Sequence, residues 1–257
     1  MNPSVKHCLK IYEDPDFYDT EFSDRTHDTS FYIDQAIALG GPILELGCGT
    51  GRITQPIADR KIEIHGIDIS QPMLALARKR KGSENILYFH SDMVDFNLET
   101  SYTLVFAATN AIQHVLNKND ILKCLRAIRK SLRDDGTVIV DIFNPNVSKL
   151  ARTWEQRYLF KNFISPSYGE IDVFARSEYS NTDAILHFQL EYIVVKSQAL
   201  IKTKDIKMHC LFNDEMKALC KQAGLEIIKC YGDYSKSDFS PQSPKQIFVC
   251  KLEAYPN

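Results

Sequence analysis

A chain of 257 residues is long enough for one large α/β domain carrying an insertion. Its formal net charge of −2 lacks the basic footprint expected of a nucleic-acid binder. Seven scattered cysteines without a C-x-x-C pair argue against a disulfide framework or a zinc site and suit a reducing, cytoplasmic setting. No apolar run approaches a membrane span, and the N-terminus lacks a signal-like apolar core.

The leader, residues 1–38, carries aromatics at 12, 17, 18, 22, 31 and 32 interleaved with acids, with Arg25 and His27 between them. By its pattern it can pack on the core as an amphipathic helix; residues 30–39 read as a helix. Ile43 to Leu46 then form a short buried strand that breaks into Gly47-Cys48-Gly49-Thr50-Gly51 and a helix from Arg52. Glycines at such a turn let a ligand touch bare backbone, and the helix start offers unpaired N–H groups.

A second strand, Ile62 to Ile67, ends at Asp68, where a carboxylate commonly takes ribose hydroxyls. The third glycine comes one residue too early for the dinucleotide fingerprint G-x-G-x-x-G. Glu45 would also repel a pyrophosphate but attract an ammonium or sulfonium. S-adenosyl-L-methionine carries both cations and no phosphate, so it is the expected cofactor.

Ser70 caps a helix running to Lys81. Asn85 to His90 is a third strand, followed by Asp92-Met93. Strand four, Tyr102 to Ala108, leads into Thr109-Asn110-Ala111-Ile112-Gln113-His114, which should border the reacting centre because ligands lie outside the carboxyl ends of such strands. His114 is the candidate general base; a packing or capping histidine is the other reading. A helix over 120–134 and a strand over 137–143 follow, with Asp141 and Asn144 near the pocket mouth.

From about 150 the pattern turns to antiparallel strands over 170–179, 184–196 and 199–211. Tyr179, His187, Glu191, Tyr192 and His209 are substrate candidates there, and an exposed edge strand could pair two copies into a homodimer. Phe212 to Ala223 is the last helix, stopped by Gly224, and 225–230 and 246–251 are the last strands.

Leu44 to Gly51 fit the pattern apolar-apolar-acid-apolar-Gly-x-Gly-x-Gly. With Asp68, Asp92 and the strand near Val105, residues 40 to 145 resemble the class I S-adenosylmethionine-dependent methyltransferases, of the bacterial small-molecule type. The resemblance implies a Rossmann-like doubly wound seven-stranded sheet with an inserted antiparallel β meander and an N-terminal helical lid. It divides the chain into a lid at 1–38, a core at 39–148, an insert at 149–211 and a return to the core sheet at 212–257. It also implies that Ile69 and Met73 lie against adenine, that Asp92 and the Met93 backbone meet its amino group, and that Tyr18 and Arg25 contact the cofactor from the lid. The expected activity is methyl transfer to nitrogen or oxygen of a small molecule by in-line displacement, with no metal, no nucleic acid and no membrane. A protein or tRNA methylase, and an enzyme that uses the aminobutyrate arm and releases methylthioadenosine, are the alternatives.

Overall fold

The computed structural model describes residues 3–146 and 150–253; the division expected at 148–149 falls outside them. Its larger sheet is built from β1 (Ile43–Leu46), β2 (Ile64–Asp68), β3 (Leu87–His90), β4 (Tyr102–Ala107), β5 (Leu132–Phe143) and two late strands, β10 (Leu225–Tyr231) and β11 (Lys245–Leu252). The order is β10-β11-β5-β4-β1-β2-β3, parallel except for β11, which runs antiparallel to both neighbours. All four residues of β1 are buried, as a strand covered on both faces requires. The chain reverses direction across the sheet between β1 and β4. That opens a crevice at their carboxyl ends.

Helices cover both faces. On one side α6 (Lys118–Ser131) buries Ile121, Cys124, Leu125 and Ile128 at helical spacing, next to α7 (Asn213–Gln222). On the other, α3 (His27–Leu39) and α4 (Thr54–Ala58) pack Phe31, Tyr32 and Ile57 against Phe106 and Ile139. The Ser70 hydroxyl caps α5 (Gln71–Lys79), accepting from the Met73 N–H as expected. No helix among the described residues is long and apolar enough to cross a membrane.

Gly51 shows why the motif tolerates nothing larger. Its φ is +76°, and an added Cβ would lie 2.6 Å from the buried Tyr88 hydroxyl. Gly51→Ala therefore combines a left-handed backbone with a clash. It should cost about 2–3 kcal/mol and lower the melting temperature by roughly 5–10 °C, readable by calorimetry.

A second, antiparallel sheet has the order β6-β7-β8-β9: β6 (Tyr158–Ser165), β7 (Gly169–Ser180), β8 (Ile185–Val194) and β9 (Leu200–His209). Strand β6 escapes sequence reading because its apolar residues 159, 160, 163 and 164 do not alternate. A register shift between Leu159 and Lys161 accounts for that irregularity. Two short N-terminal helices, α1 (Pro3–Ile11) and α2 (Pro15–Glu21), lie between the sheets. Charged bonds hold α2 to both sides. Asp19 pairs with Arg80 of the core, while Asp14 meets Lys202 at 2.7 Å and Glu21 meets Lys204 at 2.9 Å on β9.

Candidate active site

The crevice beside β1 and β4 holds a cavity that gathers most of the residues singled out above. Tyr18, Glu45, Gly47, Cys48 and Gly49 line it, together with Asp68, Ile69, Met73, Asp92, Met93, Thr109 and His114. The turn geometry explains its floor. Gly47 has φ +68°, and a Cβ there would meet Ala111 Cβ at 3.0 Å. Asp68 Oδ2 accepts the Gly49 N–H at 2.8 Å and Oδ1 accepts the Ser70 N–H at 2.7 Å, so one carboxylate ties the glycine turn to the start of α5. Asp92 Oδ1 accepts the Val94 N–H at 2.9 Å.

Two acids in this cavity are held above the ordinary carboxylate range. Burial pushes Glu45 up to about 8, against the opposing pull of the Thr54 hydroxyl that donates to it and of nearby Arg52. Burial likewise raises Asp68, opposed by its backbone N–H bonds. Arg52 lines the same cavity, forked onto Asp28 at 2.6 and 2.9 Å. Sequence reading passed over Arg52, although it directly follows the last glycine of the turn.

A second cavity of about 610 Å³ lies between the core, the N-terminal helices and the inner face of the four-stranded sheet. Tyr12, Tyr18, Thr109 and His114 line both cavities and so form the passage between them. Thr109 and Asn110 both have positive φ, +51° and +69°, an uncommon strain for a β-branched residue. Asp141 sustains it. This fully buried carboxylate accepts the Thr109 N–H at 3.0 Å, the Tyr234 hydroxyl at 2.6 Å and Lys245 Nζ at 2.8 Å. Its oxygens are thus committed to the turn rather than left for a ligand.

His114 ends the single 3₁₀ turn Ala111–His114. Its Nε2 lies 2.9 Å from the Tyr12 hydroxyl, and its buried Nδ1 has no protein partner. Burial, with a smaller contribution from His7, lowers its pKa to about 4, so the imidazole is neutral at working pH. Tyr12 was one aromatic of the leader with nothing local to single it out. Its partner lies 102 positions away.

Other expected residues lie elsewhere. Arg25 and Asn110 line the second cavity and not the first. Gly51 packs under Tyr88 and lines neither cavity. Asn144 spends its amide on the Pro241 and Ser243 carbonyls at 3.0 and 2.9 Å, pinning that loop. Of the strand candidates, Tyr192 lines the second cavity, with its hydroxyl 3.1 Å from both Glu21 oxygens. Tyr179, His187, Glu191 and His209 do not line it. On β8 the even positions 186, 188, 190 and 192 face the cavity, so 187 and 191 must point away. Glu191 pairs there with Arg157 at 2.8 Å, and His187 lies against the Trp154 ring. Among the described residues no group of three or more His, Cys, Asp or Glu is placed to hold a metal ion.

Residues 43–136 match the family model of a methyltransferase domain. Those residues are a methyltransferase domain, and the chain is similar to S-adenosylmethionine-dependent class I methyltransferases. This methyltransferase is 22% identical over 235 residues to the putative methyltransferase YqeM of Bacillus subtilis, covering 90% of this chain and 92% of that one. Its fold matches the CcbJ methyltransferase from Streptomyces caelestis with a TM-score of 0.77 at 24% identity, over 88% of this chain and 95% of the other. It also matches S-adenosylmethionine-bound CalS10, an amino pentose methyltransferase from Micromonospora echinaspora, with a TM-score of 0.70 at 16% identity over 90% and 91%.

The cofactor of this enzyme is S-adenosylmethionine, and the first cavity has the chemistry to take it. The glycine turn leaves room that a Cβ would fill. Glu45 is a buried carboxylate raised by burial, and a cation placed beside it would favour its charged form. Ile69 and Met73 supply an apolar wall beside Asp68 and Asp92.

Proposed function

We propose that the enzyme moves the methyl group of S-adenosylmethionine to a nitrogen or oxygen of a small molecule held in the second cavity. The observation that carries this reading is the shared wall of Tyr12, Tyr18, Thr109 and His114, where two cavities meet inside the protein. A cavity of about 610 Å³ suits a small acceptor rather than a macromolecule. The amino pentose named for CalS10 is an acceptor of that size class.

In this reading Asp68 takes the ribose hydroxyls, and Glu45 with Arg52 holds the charged amino-acid end. Asp92, the Met93 backbone, Ile69 and Met73 would hold the adenine. Bound S-adenosylmethionine supplies a methyl carbon on a sulfonium, whose departure as a neutral thioether makes alignment the main requirement. Tyr12 and Tyr18 exclude water from the passage, and His114 Nδ1 accepts the proton that the acceptor nitrogen or oxygen releases.

Incubation with S-adenosylmethionine and a panel of amino and hydroxy compounds should yield S-adenosylhomocysteine together with a methylated acceptor. Accumulation of methylthioadenosine instead would replace methyl transfer by chemistry at the aminobutyrate arm. His114→Ala should lower kcat about 100-fold, the low end for proton transfer because its pKa of about 4 makes it a weak base. Cofactor affinity should stay within about twofold, since removing a proton acceptor leaves ground-state binding alone. Because His114 is already neutral above pH 5, an acid limb of kcat/KM above that pH should survive in this variant. An unchanged kcat would remove His114 from the reaction.

A further inference from the structure

Charge in the second cavity is one-sided. Among the described residues Arg25, Arg152, Lys161 and Lys204 line it against a single carboxylate, Glu21. Glu21 is 2% exposed and already committed: Lys204 Nζ lies 2.9 Å from Oε2, and the Tyr192 hydroxyl lies 3.1 Å from each oxygen. Lys161 Nζ reaches the same carboxylate only at 3.6 Å and donates instead to the Glu21 backbone carbonyl at 2.7 Å. One acid therefore serves two ammonium groups, and it has no free face for a cationic acceptor.

The surplus cations are clustered. Lys161 Nζ and the Arg25 guanidinium carbon sit 4.2 and 4.5 Å from the centroid of the same ring, Phe22. Neither Arg25 nor Arg152 has a carboxylate within ion-pair distance among the described residues. Asp24, the nearest other acid to act on Lys161, is exposed and outside the cavity lining. Burial is the largest influence on Lys161 and, with the Arg25 charge, depresses its pKa despite the opposing pull of Glu21, which it shares with Lys204. Beyond this cluster the walls are apolar, with Leu186, Phe188, Leu190 and Ile206 on the sheet side.

We propose that the acceptor carries an anionic group, a carboxylate or a phosphate, which Arg25 and Lys161 bind beside Phe22 while an apolar body lies against the four-stranded sheet. The proposal rests on reading this cavity as the acceptor site. Arg25 then determines specificity rather than contacting the cofactor. Its planar fork suits either anion, and Lys161 adds a point charge.

The test is calorimetry on the full-length protein loaded with S-adenosylhomocysteine, whose own binding is measured first. The probes are phenyl phosphate, benzoate, benzylamine and benzyl alcohol. At least one anion should bind about tenfold or more tighter than the amine and the alcohol, and the stronger anion identifies phosphate or carboxylate as the recognised group. Arg25→Gln and Lys161→Gln should each weaken that anion about tenfold, with Arg25→Lys falling between Arg25→Gln and wild type. Arg25 is exposed, so its replacement leaves the fold intact. Equal affinity for benzylamine and the anions, anion affinity unchanged in both variants, or no binding of any probe to the loaded protein would overturn the proposal. Failure of S-adenosylhomocysteine itself to bind would instead remove the parent reading.

Discussion

Replacing Asp68 by alanine should lower S-adenosylmethionine affinity about 1000-fold. A carboxylate has about four lone-pair directions, and the protein directs the Gly49, Ser70 and Ile69 N–H groups at this one. Each oxygen can still accept from one hydroxyl of a vicinal diol. Hydrogen bonds to a charged acceptor contribute roughly 1.5–3 kcal/mol each, so two of them amount to about two to four powers of ten in affinity. Alanine also releases the Gly49 and Ser70 N–H groups, loosening the turn that contacts the ligand. Asp68→Asn should lose nearly as much, because its amide NH₂ must face one of those two N–H donors. Calorimetric titration of both variants, with thermal melts to establish folding, is the measurement. Affinity within threefold of wild type in either folded variant would remove Asp68 from the ribose site.

Glu45 should couple cofactor binding to proton release. In the free protein its pKa is pushed to about 8 by burial, so at pH 7 about nine in ten molecules hold the proton there. A cation placed beside it favours the charged form, and binding at pH 7 should release about 0.9 proton. Titrations in phosphate and Tris, whose ionisation enthalpies differ, measure that number directly. Glu45→Gln should abolish the release and weaken binding about 100-fold, since a neutral amide retains the Thr54 bond and loses the charge.

The same substitution should stabilise the free protein. Glu45 binds its proton more tightly folded than unfolded, so the folded state carries the extra proton between the unfolded value of 4.5 and about 8. Stability from this group therefore falls as pH rises through that window, and the deficit is complete above it. At pH 8 Glu45→Gln should raise the melting temperature of the free protein by several degrees, and at pH 5 by much less. No proton release in wild type, or a melting temperature unchanged at pH 8, would mean that Glu45 is already ionised without a ligand.

The lining of the first cavity was legible because its determinants are local. Ile43 to Gly51 form one strand and one turn, and Asp68 ends the adjacent strand of the same βαβ unit. Residue order alone brings Glu45, the glycines and Asp68 to one edge, and their chemistry excludes a pyrophosphate. The strands of the larger sheet were legible one by one from local patterns, and the family resemblance implied their joining into one seven-stranded sheet; in the four-stranded sheet β6 was lost to its irregular register.

The second cavity was decided only by the tertiary structure. Tyr12 meets His114 across 102 positions, and Glu21 meets Lys204 across 183. No spacing rule reaches that far. Along β8 composition marked His187, Glu191 and Tyr192 alike, because a strand alternates its side chains but does not say which face will be covered. Packing β8 against Phe17 and the N-terminal helices made that choice, turning Tyr192 inward and Glu191 outward. The same packing put Arg25 on the second cavity and not the first, and set it with Lys161 at the Phe22 ring, which no local pattern links to it. Chain order determined the cavity beside the glycine turn, and the closure of two sheets on one pair of helices shaped the cavity next to it.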